Sequence, residues 1–421
     1  MNTRKISLAI TLAMSIFSPA QAEQTTANEK SIQALISLTL SRNPKIFANN
    51  QEKFARQQET QAAEAQFFPT PSASIEKADN RPRLALNERT DNIRIVQPVF
   101  TGGRLTAGLE RATAAENIAN INIESARLTL SEEVIDTVSS LKNAEEKTQV
   151  LEKSLKKHSQ YLEMVRRRAT EGQSSQADVL LAENRWLAVK ADLLGLNNEQ
   201  ALQRIRLKQL CQCNNEEIEV TLQHKAMVNP NLEQLEQLSL ENSTTLKRID
   251  QELLILQALE KEALSAYSPQ VSLRAEHSRG NFTGPDNSVF LNINVSLGAG
   301  SSQLRSINAA EFRTQGKYQE RDAEAQAVSR TVQSFFQFLE TSLQRQALQQ
   351  SSHESAMAGL LASERLYLSG RKSWQELMNS AREAYQAETL VVDAKISAWQ
   401  VQQKLLVTSQ SLDVYLSQNR P

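Results

Sequence analysis

Glycine and proline are scarce in this chain, with 12 Gly and 10 Pro among 421 residues. Because these residues mark turns and end helices, so few of them exclude an architecture of many short elements. The sequence therefore predicts long helices. Cysteine is scarcer still, since Cys211 and Cys213 are the only two. No second cysteine pair or nearby histidine pair completes a metal site, so we expect a local disulfide or two free thiols.

Neither sign of charge dominates, because 47 basic and 48 acidic residues give a formal net charge of −1. This balance gives no support to nucleic acid as a partner. The sequence also lacks a phosphate-binding loop, a metalloprotease helix motif and a Gly-x-Ser-x-Gly elbow. We therefore predict a protein that is not an enzyme and has no cofactor and no metal site.

Long apolar runs are missing apart from the stretch Ile6 to Phe17. Arg4 and Lys5 precede this stretch and Ala20-Gln21-Ala22 follows it, which is the pattern of a cleaved signal peptide over residues 1–22. An uncleaved membrane helix is the alternative, but the run is shorter than the ~20 residues that span a bilayer. The mature chain is then either exported and soluble or embedded in a membrane through strands.

The chain contains two near-copies of one unit. Pro69 returns as Pro269, the junction Thr101-Gly102-Gly103 as Gly298-Ala299-Gly300, and Gly172 as Gly370. Such a fixed offset indicates a duplicated supersecondary unit. We place the first repeat at residues 23–215 and the second at 216–421.

Each repeat contains three helical segments and two strands. In repeat 1 the predicted helices are 31–66, with a break at Asn43-Pro44, 104–168 and 175–210, and the strands are 72–78 and 92–100. In repeat 2 the predicted helices are 232–266, 302–368 and 374–417, and the strands are 270–278 and 288–297.

The strands alternate apolar and polar residues, which fits a membrane barrel and a soluble β-sandwich equally well. The helices favour the barrel. A helix from Arg104 to Arg168 would extend about 95 Å at 1.5 Å per residue, too long for a compact domain. Its apolar residues recur at steps of three and four, which predicts a coiled-coil seam.

Two turns connect the long helices into hairpins. Gly172 suits the end of the incoming helix, and Ser175 with Asp178 forms the Ser-x-x-acid pattern of a capping box. Gly370, Ser373 and Glu376 repeat this pattern in the second copy. The structural interpretation of both serines and both acids is helix capping.

Four strands cannot close a barrel, because the smallest membrane barrels have eight strands and open sheet edges cannot face lipid. Several chains must contribute. Two chains would give eight strands with a filled interior, whereas three would give twelve strands around a lumen. A wide helical tube favours the trimer.

These features together resemble the TolC-type outer membrane efflux protein family. The resemblance covers essentially the whole mature chain and rests on four motifs in the same order: Asn43-Pro44, Phe68-Pro69, Gln97-Pro98-Val99-Phe100-Thr101-Gly102-Gly103 and the two glycine turns. It implies a mainly α fold with transmembrane β, in which a homotrimer forms a 12-stranded outer membrane β-barrel and a periplasmic α-helical barrel. The region from Cys211 to Asn231, with the C-terminal segment, would form an equatorial belt.

The resemblance also implies a gate at the periplasmic helix tips. Carried over by position, the gate residues are Tyr367, Arg371, Lys372, Asp178 and Glu376. Lys372 occupies the position of the family's gate arginine, and lysine cannot reproduce bidentate arginine geometry. For Asp178 and Glu376 the alternative role is capping alone.

The predicted function is a passive exit duct in the outer membrane of a Gram-negative bacterium, with its helices in the periplasm. The expected partners are copies of itself, a periplasmic adaptor (membrane fusion protein), outer membrane lipid, and an inner-membrane ABC transporter or proton-driven pump. Residues 66–72 and 100–105 look closest to members that serve type I protein secretion. A drug efflux duct is the alternative, and a soluble periplasmic coiled-coil adaptor is an alternative of another class.

Overall fold

The computed structural model describes residues 31–78, 88–214, 222, 231–280, 284–295 and 301–417. The predicted signal peptide, the repeat boundary at 215/216, the junction at 298–300 and the last two residues of the strand predicted over 288–297 lie outside these residues.

The described residues form helices and strands in the order of two repeats. The helices are α1 Ile32–Arg42, α2 Pro44–Ala65, α3 Arg104–Thr170, α4 Gln176–Cys211, α5 Leu232–Asn242, α6 Thr244–Ser265, α7 Ser301–Leu368, α8 Trp374–Ser409 and α9 Leu412–Ser417. The strands are β1 Thr70–Ala78, β2 Glu88–Phe100, β3 Gln270–Gly280 and β4 Gly284–Asn294.

Two helices predicted as continuous are broken. The helix predicted over 232–266 is interrupted at Ser243, whose hydroxyl accepts a hydrogen bond from the Leu246 N–H and caps α6. The helix predicted over 374–417 ends at Ser409, and Gln410 is extended before α9 begins. Both predictions were wrong because neither break contains the glycine or proline that would mark it. A serine cap or a polar residue in extended conformation is sufficient.

The long helices lie side by side as a wall. Helix α3 packs against α4 on one side and α8 on the other, and α7 packs against α8, so the order across the wall is α4, α3, α8, α7. Toward the sheet, α2 and α6 flank α3, and α6 contacts α7. The wall therefore ends in α4 and α2 at one side edge and in α7 at the other.

The four strands form one antiparallel sheet in the order β1-β2-β3-β4. The register pairs Ile95 with Pro71 on one neighbouring strand and with Ala275 on the other. Ala275 in turn lies opposite Val289. Since β1 and β4 each pair on one side only, both outer edges of the sheet keep unpaired backbone groups within the described residues.

The sheet presents an exposed apolar face and a polar face. The large apolar side chains of the first face are Ile75, Ile93, Ile95, Leu273, Val289, Leu291 and Ile293, each at least 45% exposed. On the other face, Glu276 accepts hydrogen bonds from Asn92 (2.5 Å) and Arg94 (3.2 Å). The Arg274 Nε lies 3.4 Å from the other Glu276 oxygen. A single chain thus leaves its apolar sheet face uncovered, while the charges of the other face pair among themselves.

One hydrophobic core lies midway along the wall, where α1, α3, α4, α8 and α9 meet. It includes Leu35, Ile135, Leu207, Trp399 and Tyr415, all at most 1% exposed. Cys211 packs at its edge and forms a disulfide with Cys213, so the first of the two cysteine alternatives is present. Among the described residues, no helix is long and apolar enough to cross a membrane.

Candidate functional site at the hairpin tips

The two hairpin turns lie at the end of the wall remote from the sheet. Gly172 has φ +76° and Gly370 has φ +72°, a left-handed conformation that disfavours side chains with a Cβ. The backbone N–H of Gln173 bonds to the Arg168 carbonyl at 2.8 Å, and Arg371 bonds to the Leu366 carbonyl at the same distance. These contacts satisfy carbonyls left free at the helix ends.

The outgoing helices open with matching capping boxes. The Ser175 hydroxyl accepts from the Asp178 N–H at 3.2 Å, and the Ser175 N–H donates to the Asp178 carboxylate at 3.0 Å. In the second turn, the Ser373 N–H donates to Glu376 at 2.8 Å. This backbone hydrogen bond, the Ser373 hydroxyl and nearby Lys372 lower the pKa of Glu376 below its usual value. Within one chain, both acids serve as caps.

The other three predicted gate residues differ in their surroundings. Tyr367 is 6% exposed and lies between the Arg168 guanidinium, 5.0 Å from its ring centre, and the Trp374 ring at 5.2 Å. Lys372 donates to the Ser363 hydroxyl at 2.7 Å. Arg371 is exposed beyond the turn. Within one chain the five residues therefore do not form a single network.

A second polar cluster joins the hairpins and was not predicted from the sequence. Lys157 of α3 forms an ion pair with Glu364 of α7 at 2.7 Å, and the Tyr161 hydroxyl donates to the same carboxylate. Burial, followed by the contact with Glu364, raises the pKa of Tyr161 far above its usual value. We call Lys157, Tyr161 and Glu364 the inter-hairpin cluster.

A weak sequence signal for this cluster exists. Glu364 falls four residues after Leu360 and three before Tyr367, both of which are buried, so it is an acid on an apolar stripe. An acid at such a position needs a partner. Its partners are more than 200 residues away in the sequence, and the sequence alone does not identify them.

Apolar contacts support the inter-hairpin cluster from both hairpins. The tip core consists of Tyr161, Leu162, Val165, Val179, Ala182, Leu360, Tyr367, Trp374, Leu377 and Met378, together with further residues of α8. Tyr161 packs edge-on against Trp374 at 6.1 Å. This core therefore joins the two hairpin tips of one chain.

Above the tips, a groove of about 580 Å³ lies between α3, α4 and α8. His158, Arg185 and Tyr385 line it, with the His158 Nδ1 2.9 Å from the Ser154 carbonyl oxygen. Burial lowers the pKa of His158 below its usual value. The described residues contain no group of three or more His, Cys, Asp or Glu that could hold a metal ion.

Comparison with known proteins identifies a matching family model and similar folds. Residues 35–211 match the family model described as outer membrane efflux protein. The Campylobacter jejuni CmeC outer membrane channel is 13% identical, with a TM-score of 0.77 over 96% of this chain and 94% of that chain. The Vibrio cholerae outer membrane protein VceC is 16% identical, with a TM-score of 0.76 over 90% of this chain and 96% of that chain.

A third solved structure is the open state of the Neisseria gonorrhoeae MtrE outer membrane channel. It is 16% identical, with a TM-score of 0.74 over 90% of this chain and 89% of that chain. At these identities the structural matches establish a shared fold. No curated protein sequence matches the chain.

Proposed function

We propose that this chain is a TolC-type member of the outer membrane efflux protein family and that three copies form a passive exit duct across the outer membrane; the family model over residues 35–211 and the shared channel fold support this. Its location is the outer membrane of a Gram-negative bacterium, with the helical part in the periplasm. The family consists of channels rather than enzymes, which is consistent with a protein that catalyses no reaction.

The main support for the trimer is the four-stranded sheet, because of its exposed apolar face and its open edges. Its apolar face is exposed, with Ile75 at 69% and Val289 at 71%, and within the part of the chain that the structure describes its edge strands β1 and β4 each have a partner on one side only. Inside a bilayer each unpaired backbone group costs several kcal/mol, so the edges must meet other strands. Three sheets of four strands joined edge to edge would form a twelve-stranded barrel with a lumen.

The side edges of the helical wall support the same assembly. On α4, Leu180, Leu187 and Leu194 recur every seven residues and are 59%, 51% and 65% exposed. On α7 at the opposite edge, Phe338 and Leu348 are 61% and 71% exposed. A heptad row without a partner is typical of a coiled-coil seam, so α4 of one copy is proposed to pack against α7 of the next.

Replacement of Leu194 by Asp tests this seam. The charge would lie in the leucine row, so the detergent-extracted protein should shift from trimer to monomer in size-exclusion chromatography with light scattering. Ala188→Asp is the matched control, since it adds the same charge at an exposed position of α4 that lines the groove between α3, α4 and α8 and lies about 120° around the helix from Leu194 of the leucine row. A wild-type protein that is monomeric after gentle extraction would refute the trimer.

The gate is proposed at the hairpin tips, with Tyr367, Arg371, Lys372, Asp178 and Glu376 as the candidate residues. Within a chain, the inter-hairpin cluster and the contact between Arg168 and Tyr367 hold the two hairpins together. Exposed Arg371 and the two capping carboxylates remain at the surface of the tips, where a neighbouring chain could pair with them. Opening of the gate would then require the breaking of contacts between the two hairpins of one chain and of contacts between neighbouring chains.

Conductance of the purified trimer in planar bilayers tests the gate. Lys372→Ala and Tyr367→Ala should each raise the closed-state conductance, because one loses the contact with Ser363 and the other the packing with Arg168 and Trp374. Arg330→Ala, which changes an exposed residue of α7 far from the tips, is the control. Unchanged conductance in both tip variants would count against a gate here.

For the cargo, we propose type I protein secretion driven by an inner-membrane ABC transporter through a periplasmic adaptor. The support is the likeness of residues 66–72 and 100–105 to members with that role. The second candidate is small-molecule efflux with a proton-driven pump; the family description names efflux but no cargo and no energy source.

Deletion of the gene in its native host distinguishes the two cargo classes. Loss of a protein from the medium with unchanged drug tolerance would support secretion. Increased drug sensitivity with an unchanged set of exported proteins would support efflux and refute the secretion proposal.

A further inference from the structure

The apolar face of the sheet ends in a cationic row at the end farthest from the helices. Along β3, this face carries Val271, Leu273 and Ala275, then His277 and finally Arg279. The register places Asp91 opposite both Ile75 and Arg279, and Lys77 opposite Arg89. We name Lys77, Arg89 and Arg279, together with Asp91, the cationic rim.

The height of the apolar band places this rim at the level of lipid headgroups. Along β4 and the residue after it, the exposed apolar residues Val289, Leu291, Ile293 and Val295 span six steps, about 20 Å at ~3.4 Å per residue. Membrane barrels present an apolar band of about 25 Å bordered by interfacial residues. The cationic rim lies on the same face beyond this band, and on β3 and β4 the polar pair of His277 and Asn287 separates the two.

The cationic rim has a net positive charge even after the ion pair between Arg89 and Asp91 is counted. The Arg89 Nε lies 2.9 Å from the Asp91 carboxylate, and both side chains are about half exposed, at 54% and 45%. Lys77 and Arg279 are also exposed. Three cations against one carboxylate leave two net positive charges per chain.

The polar face of the same strands is arranged differently. Arg94 and Arg274 both lie beside Glu276, and Arg274 also stacks on Phe290 at 4.6 Å from the ring centre. The inner arginines therefore have partners within the sheet, whereas Lys77 and Arg279 extend from the outer face. A ligand of opposite charge is expected on the outer face.

From this arrangement we propose that the cationic rim binds phosphorylated headgroups of lipids in the leaflet distal to the helices. The inference rests on the proposed membrane barrel and adds a specific lipid contact to it. The acyl chains lie on the apolar band, and the headgroup phosphate accepts hydrogen bonds from Arg89 and Arg279, with Lys77 as a third cation. Arginine favours such phosphate contacts because its planar donors match two oxygens at once.

The test measures lipids retained by the full-length trimer in native mass spectrometry. The probes are dimyristoyl phosphatidic acid, whose headgroup is a bare phosphate, and dimyristoyl phosphatidylcholine, which has the same chains and no net charge. Wild-type trimer should retain the phosphatidic acid preferentially. Arg89→Gln with Arg279→Gln should weaken this retention roughly 25-fold, about fivefold for each basic residue near a lipid surface.

Arg94→Gln with Arg274→Gln is the matched control, because it removes two arginines from the same strands on the opposite face. The control should retain phosphatidic acid as the wild type does. Equal retention of both lipids by the wild type, or equal loss in both double variants, would overturn the proposal.

A measurement on the wild type covers the case in which the outer double variant does not assemble. Preference for phosphatidic acid should fall as the ionic strength rises, since the rim charges are exposed. A preference that does not change with salt would also overturn the proposal. Trimer mass and planar-bilayer conductance on the same sample report separately on the exit duct, so the two proposals can fail independently.

Discussion

Helices α4 and α8 are equal in length and begin with the same capping box, yet their burial differs greatly. Each has 36 residues, but sixteen residues of α8 are buried and only four of α4. The cause is position, because α8 lies between the long helices α3 and α7, whereas among the described residues α4 has only one long helix, α3, packed along its side. Two helices with similar sequence patterns therefore differ in burial because they pack against different neighbours. The exposed side of α4 is available for contact with another chain.

The largest expected effect on stability is a difference between substitutions at equivalent positions of these two helices. Met378 and Leu180 each follow their capping serine by five residues, but Met378 is 1% exposed and Leu180 is 59% exposed. Met378→Ala should lower the free energy of unfolding by about 2–5 kcal/mol. Leu180→Ala should change it by less than about 0.5 kcal/mol in the dissociated chain.

Helix melting followed by circular dichroism in detergent, below and above the concentration at which the trimer dissociates, measures both variants. Leu180→Ala should weaken assembly while Met378→Ala weakens the chain itself. Equal melting temperatures of the two monomeric variants would contradict the claim that α8 is buried within the chain and α4 lies at its edge.

Two tyrosines at the tips offer a second contrast. The Tyr161 hydroxyl donates to Glu364, whereas the Tyr367 hydroxyl is buried without a hydrogen-bond partner among the described residues. Tyr161→Phe should therefore cost about 1.5–3 kcal/mol, the range for a hydrogen bond to a charged group. Tyr367→Phe should be near neutral, and chemical denaturation of both variants would reveal the difference. A larger loss for Tyr367→Phe would show that its hydroxyl has a partner in the trimer.

The turn glycines should respond alike, because the turns are the most similar parts of the repeats. Gly172→Ala and Gly370→Ala would each place a Cβ in the left-handed region, at a cost of about 1–2 kcal/mol. A Cβ at either position would meet no atom within 4 Å, so backbone conformation alone sets the cost. Thermal melts of the two variants should coincide, and a clear difference would locate strain in one turn.

The smallest effect concerns acid pH at the second tip. The folded-state pKa of Glu376 is depressed by its capping hydrogen bonds, so its contribution is present above the ordinary value of 4.5 and is lost as the pH falls through the lower folded value. Glu376→Gln should therefore melt below the wild type at neutral pH and approach it in acid. A gap between the two melting temperatures that stays constant with pH would exclude this linkage.

Local signals in the sequence were sufficient for several features of the tips and helices. The Ser-x-x-acid patterns at Ser175 and Ser373 coincide with capping boxes in the structure, and both turn glycines have positive φ. These features depend on residues within one helical turn, so a single sequence contains the necessary information. The break at Ser243 was missed because a serine in a helical pattern is compatible with the helix interior as well as with a cap.

The sequence by itself determined the long helices, their capped hairpins and the alternating strands, because each follows from contacts between near neighbours in the chain. It also indicated the duplication, because similar residues recur at matching positions in the two halves. Only the tertiary structure decided that Glu364 meets Lys157 and Tyr161, that α8 is covered while α4 is not, and that Lys77, Arg89 and Arg279 share one end of one sheet face. These contacts join residues far apart in the sequence, and they depend on the order of helices in the wall and on strand register.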